Sequence, residues 1–184
     1  MMMPETYNNV FGYTTNPYNT RLSSGGSSGG ESSLLALRGE LTWATSLTAG
    51  TPLGVGSDIG GSVRIPASFT GLYALKPSFG RFSTYGARSG LPGQEAVRSI
   101  NGPMSADIKS LELFAKAIVD SEGWLSDPNI VPIPWRDITL PEKLCFGILV
   151  DDGVVKPLPP VQKAMEKTRR AIEAAGHTVI EYRP

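Results

Sequence analysis

The clearest periodicity in the chain lies in its second half. Ile108, Leu111, Phe114 or Ala115, and Ile118 recur at helical spacing, and Ser105 or Asp107 is placed to cap a helix running to Asp120. Further on, Leu144 to Val150 is a near-continuous apolar run that reads as a buried strand. A helix is expected from about Pro160 to Ala175, stopped by Gly176, with His177 to Tyr182 as the next strand. Strand, helix and strand in so short a span form a βαβ unit, which implies parallel neighbours and an α/β class. The first half is less periodic. Leu34, Leu35, Ala36 and Leu37 predict a short helix, Pro52 to Gly56 a short buried strand, and Ile65 to Phe69 one or two helical turns. Leu72 to Leu75 predicts a strand that Pro77 ends. Residues 1–24 show neither period and read as an irregular lead-in. Residues 78–104 read as a long, glycine-spaced loop suited to a binding surface, and the proline-rich stretch from Asp127 to Pro141 as a wandering connection.

Composition narrows the function classes. The 184 residues suffice for one ordinary domain, and 17 basic against 17 acidic side chains give no argument for nucleic acid or an anionic membrane as partner. Cys145 is the one cysteine, which rules out an intrachain disulfide and, in its apolar run, reads as core. Met1 to Glu5 lacks the basic and apolar regions of a secretory signal, and no apolar run approaches membrane-spanning length, so a cytoplasmic location is expected. No metal-ligand spacing occurs. Gly54-x-Gly56-x-x-x-Gly60 is one residue off a dinucleotide fingerprint and lacks the long helix that should follow. No cofactor is expected.

The candidate chemistry sits in two glycine–serine stretches. Gly54 to Pro66 holds four glycines, and successive N–H groups around Gly60-Gly61-Ser62 can converge on one point, as an anion or oxyanion site requires. Ser62 would hold an oxygen nucleophile beside that nest. Ser23 to Glu31 is a second such stretch, running directly into the first predicted helix. Taken separately, each is also what a glycine-rich turn between core elements looks like.

Together the two resemble the amidase signature family of serine hydrolases. Its hallmark is Gly-Gly-Ser-Ser-Gly-Gly, here Gly25 to Gly30, followed by a Gly-[Thr/Ser]-Asp-x-Gly-Gly-Ser-[Ile/Val]-Arg-x-Pro run, here Gly56 to Pro66. The Gly-Leu-x-x-Leu-Lys-Pro-[Thr/Ser] step at Gly71 to Ser78 follows in order; Asn16 to Asn19 and Gly102 to Met104 fit as well, in wording similar to the fungal acetamidase-like branch. The resemblance spans about Tyr7 to Pro184. It implies an α/β amidase-signature fold, a mixed β-sheet core flanked by helices, of which this chain holds the central portion. Within 1–184, residues 1–24 would be lead-in, 25–78 the signature core and 79–184 the following loop and βαβ portion. The motifs' linking run is interrupted by Glu40 to Gly50, 11 residues that read either as a surface insertion or as translated non-coding sequence. That interruption and the abrupt start suggest a piece of a longer protein.

The resemblance also implies a chemistry, hydrolysis of linear carboxamides through an acyl-serine intermediate and a Ser–cisSer–Lys triad. Ser62 would be the nucleophile and Ser27 the bridging serine, its peptide cis. The N–H groups of Ile59, Gly60, Gly61 and Ser62 would form the oxyanion hole, and Asp58 and Arg64 would brace the loop. Ser57 stands where the family commonly has threonine. The family's lysine base lies well upstream of the first motif, and this chain has no lysine before Lys76. Lys76 matches the family's structural Lys-Pro step, while Lys109, Lys116, Lys163 and Lys167 fall on predicted helices and read as solvated. The base would then lie outside this chain. The expected partner is a small-molecule amide, with a homodimer as a possible assembly. Two other readings stand beside this one. The chain could be a non-catalytic amidase fragment or pseudoenzyme. Alternatively Gly25-x-Ser27-x-Gly29 could be the nucleophile elbow of an α/β-hydrolase-type esterase with His177 as base, although such an elbow needs an apolar strand before it.

Overall fold

The computed structural model describes residues 3–37, 51–88 and 93–183. The expected insertion at 40–50 lies outside the described residues. Two compact units divide the chain, Met1–Trp135 and Arg136–Pro184.

The first unit begins with two small antiparallel hairpins. Strand β1 (Tyr7–Asn8) pairs with β2 (Gly12–Tyr13), and β3 (Thr15–Asn16) with β4 (Asn19–Ser23). The lead-in is therefore ordered strand and turn rather than irregular. Strands of two residues are too short to display alternation, and the polar side chains that hide the pattern make the turns. Asn8 Oδ1 accepts the N–H groups of Val10 and Phe11, and Asn16 Oδ1 accepts that of Tyr18.

The central sheet has the order β5–β7–β6, all antiparallel: β5 is Leu53–Asp58, β6 Tyr73–Ala74 and β7 Ile100–Ser105. The middle strand is the end of the segment expected to be loop. Gly102 and Pro103 disguise it. A Cβ at Gly102 would run into the carbonyl oxygen of Leu75, so the close approach of the β6 end demands glycine there. Pro103 offers only its carbonyl, which accepts the Leu75 N–H at 3.0 Å. Helices α1 (Gly29–Ala36) and α2 (Arg64–Thr70) lie against this sheet, and Leu35, Val63, Ala67 and Met104 form the core between them. Helix α3 (Ile108–Asp120) starts where Asp107 Oδ2 accepts the Ser110 N–H at 2.9 Å. Its buried face is Leu111, Ala115 and Val119, with Phe114 and Ile118 half-buried beside it, whereas Ile108 points to solvent. The helix thus packs on a face rotated slightly from the predicted one, through Phe82, whose ring meets Phe114 edge-on at 6.2 Å.

The second unit is the expected βαβ. Strand β8 (Cys145–Ile148) runs parallel to β9 (Thr178–Glu181), joined by α4 (Pro159–Ala174). Cys145 is exposed, against the expectation of a core position. Within this unit two strands and one helix shelter a single face, on which Phe146 and Ile148 are half-buried, and the alternation leaves Cys145 on the other. Among the described residues no helix is long and apolar enough to cross a membrane.

Candidate active site

Asp58 ends β5 with its side chain fully buried, and the loop that follows is wound around its carboxylate. Oδ1 accepts the Gly61 N–H at 2.8 Å, and Oδ2 accepts the N–H groups of Val63 and Arg64 at 3.1 and 3.3 Å. The Arg64 guanidinium closes the ring with a fork, Nη2 to Oδ1 at 2.9 Å and Nε to Oδ2 at 3.0 Å. Gly61 has a φ of 130°, a conformation that disfavours any side chain, so the tight turn depends on glycine here. Asp58 and Arg64 brace the loop, as expected. The bracing changes one detail of the predicted oxyanion nest: the Gly61 N–H already has an acceptor in Asp58. Among the described residues no hydrogen bond engages the N–H groups of Ile59, Gly60 and Ser62.

Burial by itself would raise the Asp58 pKa, but the Arg64 fork and the N–H groups of Val63, Gly61 and Arg64 outweigh it and lower it to about 2. The folded value lies below the unfolded one, so the loop gains stability above the ordinary aspartate pKa and loses it as pH falls toward 2. The contribution is about 2 kcal/mol. We expect acid unfolding, followed by circular dichroism between pH 5 and about 2, to be markedly less steep in Asp58→Asn. An unchanged acid slope would count against this carboxylate as the acid-sensitive brace.

The other motif forms the turn that launches α1. Gly25 has a φ of 75°, the Gly26–Ser27 peptide is cis, and the helix begins at Gly29. The Ser28 N–H donates to the Ser62 carbonyl at 3.1 Å, which joins the two serine motifs directly. Gly56 on β5 makes room for both. A Cβ there would overlap the Ser28 hydroxyl and lie 3.0 Å from Val63 Cγ2. Gly56→Ala should therefore lower the urea midpoint by an amount corresponding to about 1–3 kcal/mol. A midpoint equal to the parent's would show that the junction yields freely.

Ser27 and Ser62 line one cleft of about 740 Å³, together with Ser57 and Ile59. Ser62 is 7% exposed, whereas Ser27 is exposed. The far wall comes from the glycine-spaced segment, as its loop character suggested. There Arg98 lies over the Phe79 ring at 4.3 Å and pairs with Glu95 at 3.4 Å.

Among the described residues no lysine lines this cleft. Lys76, Lys109, Lys116, Lys163 and Lys167 are all exposed, and Lys116 is paired with Asp120 at 2.8 Å. His177 belongs to the second unit, where its Nδ1 accepts the Leu144 N–H at 3.4 Å and its ring packs 5.5 Å from Phe146. The residues before the Gly25 turn do form a strand, β4, but it is a largely exposed hairpin strand and not the apolar one that a nucleophile elbow requires. One contributor escaped sequence reasoning altogether. Thr6 accepts the Gly29 N–H on its hydroxyl at 2.9 Å, from a segment whose polar, aperiodic sequence carries no signal of that role.

The Amidase family model matches residues 1–184. The chain belongs to the amidase family. It is 38% identical over 192 aligned residues to the acetamidase of Aspergillus oryzae, covering 100% of this chain and 33% of that protein. To fatty-acid amide hydrolase 1 of Sus scrofa it is 38% identical, with 96% and 29% covered. A solved fatty acid amide hydrolase superposes with a TM-score of 0.86 at 39% identity, over 100% of this chain and 31% of that one. This amidase chain thus spans about a third of the length of the relatives it matches. Its α/β architecture is that of a portion of the amidase-signature fold, which a bacterial aryl acylamidase of the same family shares at a TM-score of 0.72 and 25% identity.

Proposed function

We propose that this chain carries the serine half of an amide-hydrolysing centre acting on small linear carboxamides. Ser62 Oγ attacks the carbonyl carbon. Its proton passes through the Ser27 hydroxyl to a lysine amine supplied by chain outside these 184 residues. The negative charge that develops on the carbonyl oxygen meets the N–H groups of Ile59, Gly60 and Ser62, with Gly61 holding the loop on Asp58. Collapse breaks the C–N bond, the amine leaves with the relayed proton, and water then cleaves the acyl–Ser62 ester to release the acid.

The observation that carries this reading is the union of the two motifs. Ser27 and Ser62 lie more than thirty positions apart in the sequence, yet they line one cleft, and their motifs are linked by the Ser28–Ser62 backbone bond. The esterase reading, with Ser27 as nucleophile and His177 as base, finds less support, because His177 already accepts a backbone N–H and β4 is not an apolar strand. Substitution separates the two with the lysine-bearing segment supplied. His177→Ala should retain activity, whereas Ser62→Ala should lose it. The reverse pattern would overturn the proposal.

A further inference from the structure

The turn that carries Ser27 is held from outside by a residue with no place in either signature motif. Thr6 Oγ1 accepts the Gly29 N–H at 2.9 Å, donates to the Gly25 carbonyl at 3.1 Å and lies 3.3 Å from the Ser27 carbonyl. One hydroxyl therefore spans the turn from its first glycine to the first residue of α1. Packing repeats the message. A Cβ on Gly26 would overlap the Glu5 backbone, and one on Gly29 would overlap the Thr6 hydroxyl, so two of the motif's glycines are required by the approach of residues 5 and 6. Ser24 Oγ also reaches the Gly25 carbonyl, at 3.2 Å, but makes no bond to Ser27 or Gly29. On its far side the same turn meets the nucleophile loop through the Ser28 N–H and the Ser62 carbonyl.

We infer that Thr6 is a positioning residue, whose hydroxyl clamps the Gly25–Gly29 turn and so fixes Ser27 against the Ser62 loop. The reason is chemical. The hydroxyl is donor and acceptor at once, and the turn presents carbonyls at Gly25 and Ser27 and an N–H at Gly29 to one point. Valine would fill the same volume and could neither donate nor accept. Serine would do both. Its catalytic consequence rests on the serine-hydrolase reading above, whereas the clamp does not.

The test compares Thr6→Val and Thr6→Ser by amide hydrogen exchange of the whole chain, read by NMR. In Thr6→Val the Gly29 and Ser28 N–H groups should exchange faster by about fivefold, the loss of one hydrogen bond. The Ser110 N–H, bonded to Asp107 on α3, should be unchanged, and Thr6→Ser should match the parent. Three results would overturn the clamp: unchanged exchange at Gly29 in Thr6→Val, equal acceleration in Thr6→Ser, or a matching rise at Ser110. If Thr6→Val does not fold, Thr6→Ala carries the same expectation, and loss of both folds would make Thr6 a general folding residue and overturn the inference. With the lysine-bearing segment supplied, the rate of fluorophosphonate labelling at Ser62 should fall in Thr6→Val and recover in Thr6→Ser. Equal labelling in all three would refute positioning. A parent that never labels refutes the hydrolase reading instead, and the exchange result still decides the clamp.

Discussion

With an upstream lysine-bearing amidase segment supplied, an active-site fluorophosphonate should label Ser62 and no other serine, and Ser62→Ala should abolish both label and turnover. Removing the nucleophile of a serine triad costs on the order of 10⁶ in kcat, so no residual rate should be measurable. The expectation rests on how the serines of the cleft differ. Ser62 follows the N–H groups of Ile59 and Gly60, and its loop is fixed through five hydrogen bonds to the Asp58 carboxylate. Ser27 lines the same cleft from a turn whose Ser28 and Gly29 N–H groups are already taken, Ser57 lies on β5, ahead of the loop, and Ser99 comes from the segment just before β7. Attack by any of these three would be expected to form its oxyanion away from the Ile59 and Gly60 donors. Ser27→Ala should slow labelling without moving it, because it would remove the proposed relay and leave the proposed nucleophile. Label found on Ser27, or surviving Ser62→Ala, would sink the assignment.

The signature stretches were legible because their chemistry is local. The run from Gly56 to Pro66 contains the acid, the arginine and the glycines that fold upon one another within nine positions, so the brace of Asp58 and Arg64 that the resemblance implies is made within the motif itself. The helix from Asp107 and the βαβ unit were legible for the same reason, since capping and periodicity act over one or two turns. What the sequence concealed depends on partners far along the chain. Strand β7 is central to its sheet, yet its Gly102 answers to the Leu75 carbonyl and its Pro103 to the Leu75 N–H, so the residues that suit the pairing are those that ordinarily signal a loop. Thr6 is bound to a turn about twenty positions away, and a single hydroxyl leaves no pattern. Cys145 shows the opposite error. A near-continuous apolar run reads as a buried strand with Cys145 in the core, although the alternation of a strand leaves one face without cover in this unit.

The Gly61 N–H changes what the proposed oxyanion nest would offer a substrate. A nest of four N–H groups read from sequence treats each donor as free, but folding the nest requires an acceptor inside it, and Asp58 takes the Gly61 N–H for that purpose. The bond that ties the loop to Asp58 would thus leave the proposed oxyanion site three donors, and Asp58 would act on a substrate only through the backbone it holds.

The 184-residue chain by itself should hydrolyse acetamide or benzamide at no more than the background rate. A serine hydroxyl at neutral pH stays protonated and needs a base within hydrogen-bond reach of its proton or of a relay. In the proposed centre Ser27 would relay the proton and could not hold it. Among the described residues no lysine lines the cleft, and the one histidine already accepts the Leu144 N–H. Among the described residues the charged groups on the cleft are Arg88 and Arg98, which cannot accept a proton, and Glu95, which is paired with Arg98 at 3.4 Å. General base catalysis alone is worth roughly 10²–10⁴ in rate. Supplying the lysine segment should restore at least that factor, and replacing its lysine by methionine should remove it again. The measurement is ammonia release from acetamide with the isolated chain, the supplemented chain and its Ser62→Ala variant side by side. Turnover by the isolated chain that is well above background and vanishes in Ser62→Ala would mean that a group within these residues serves as base.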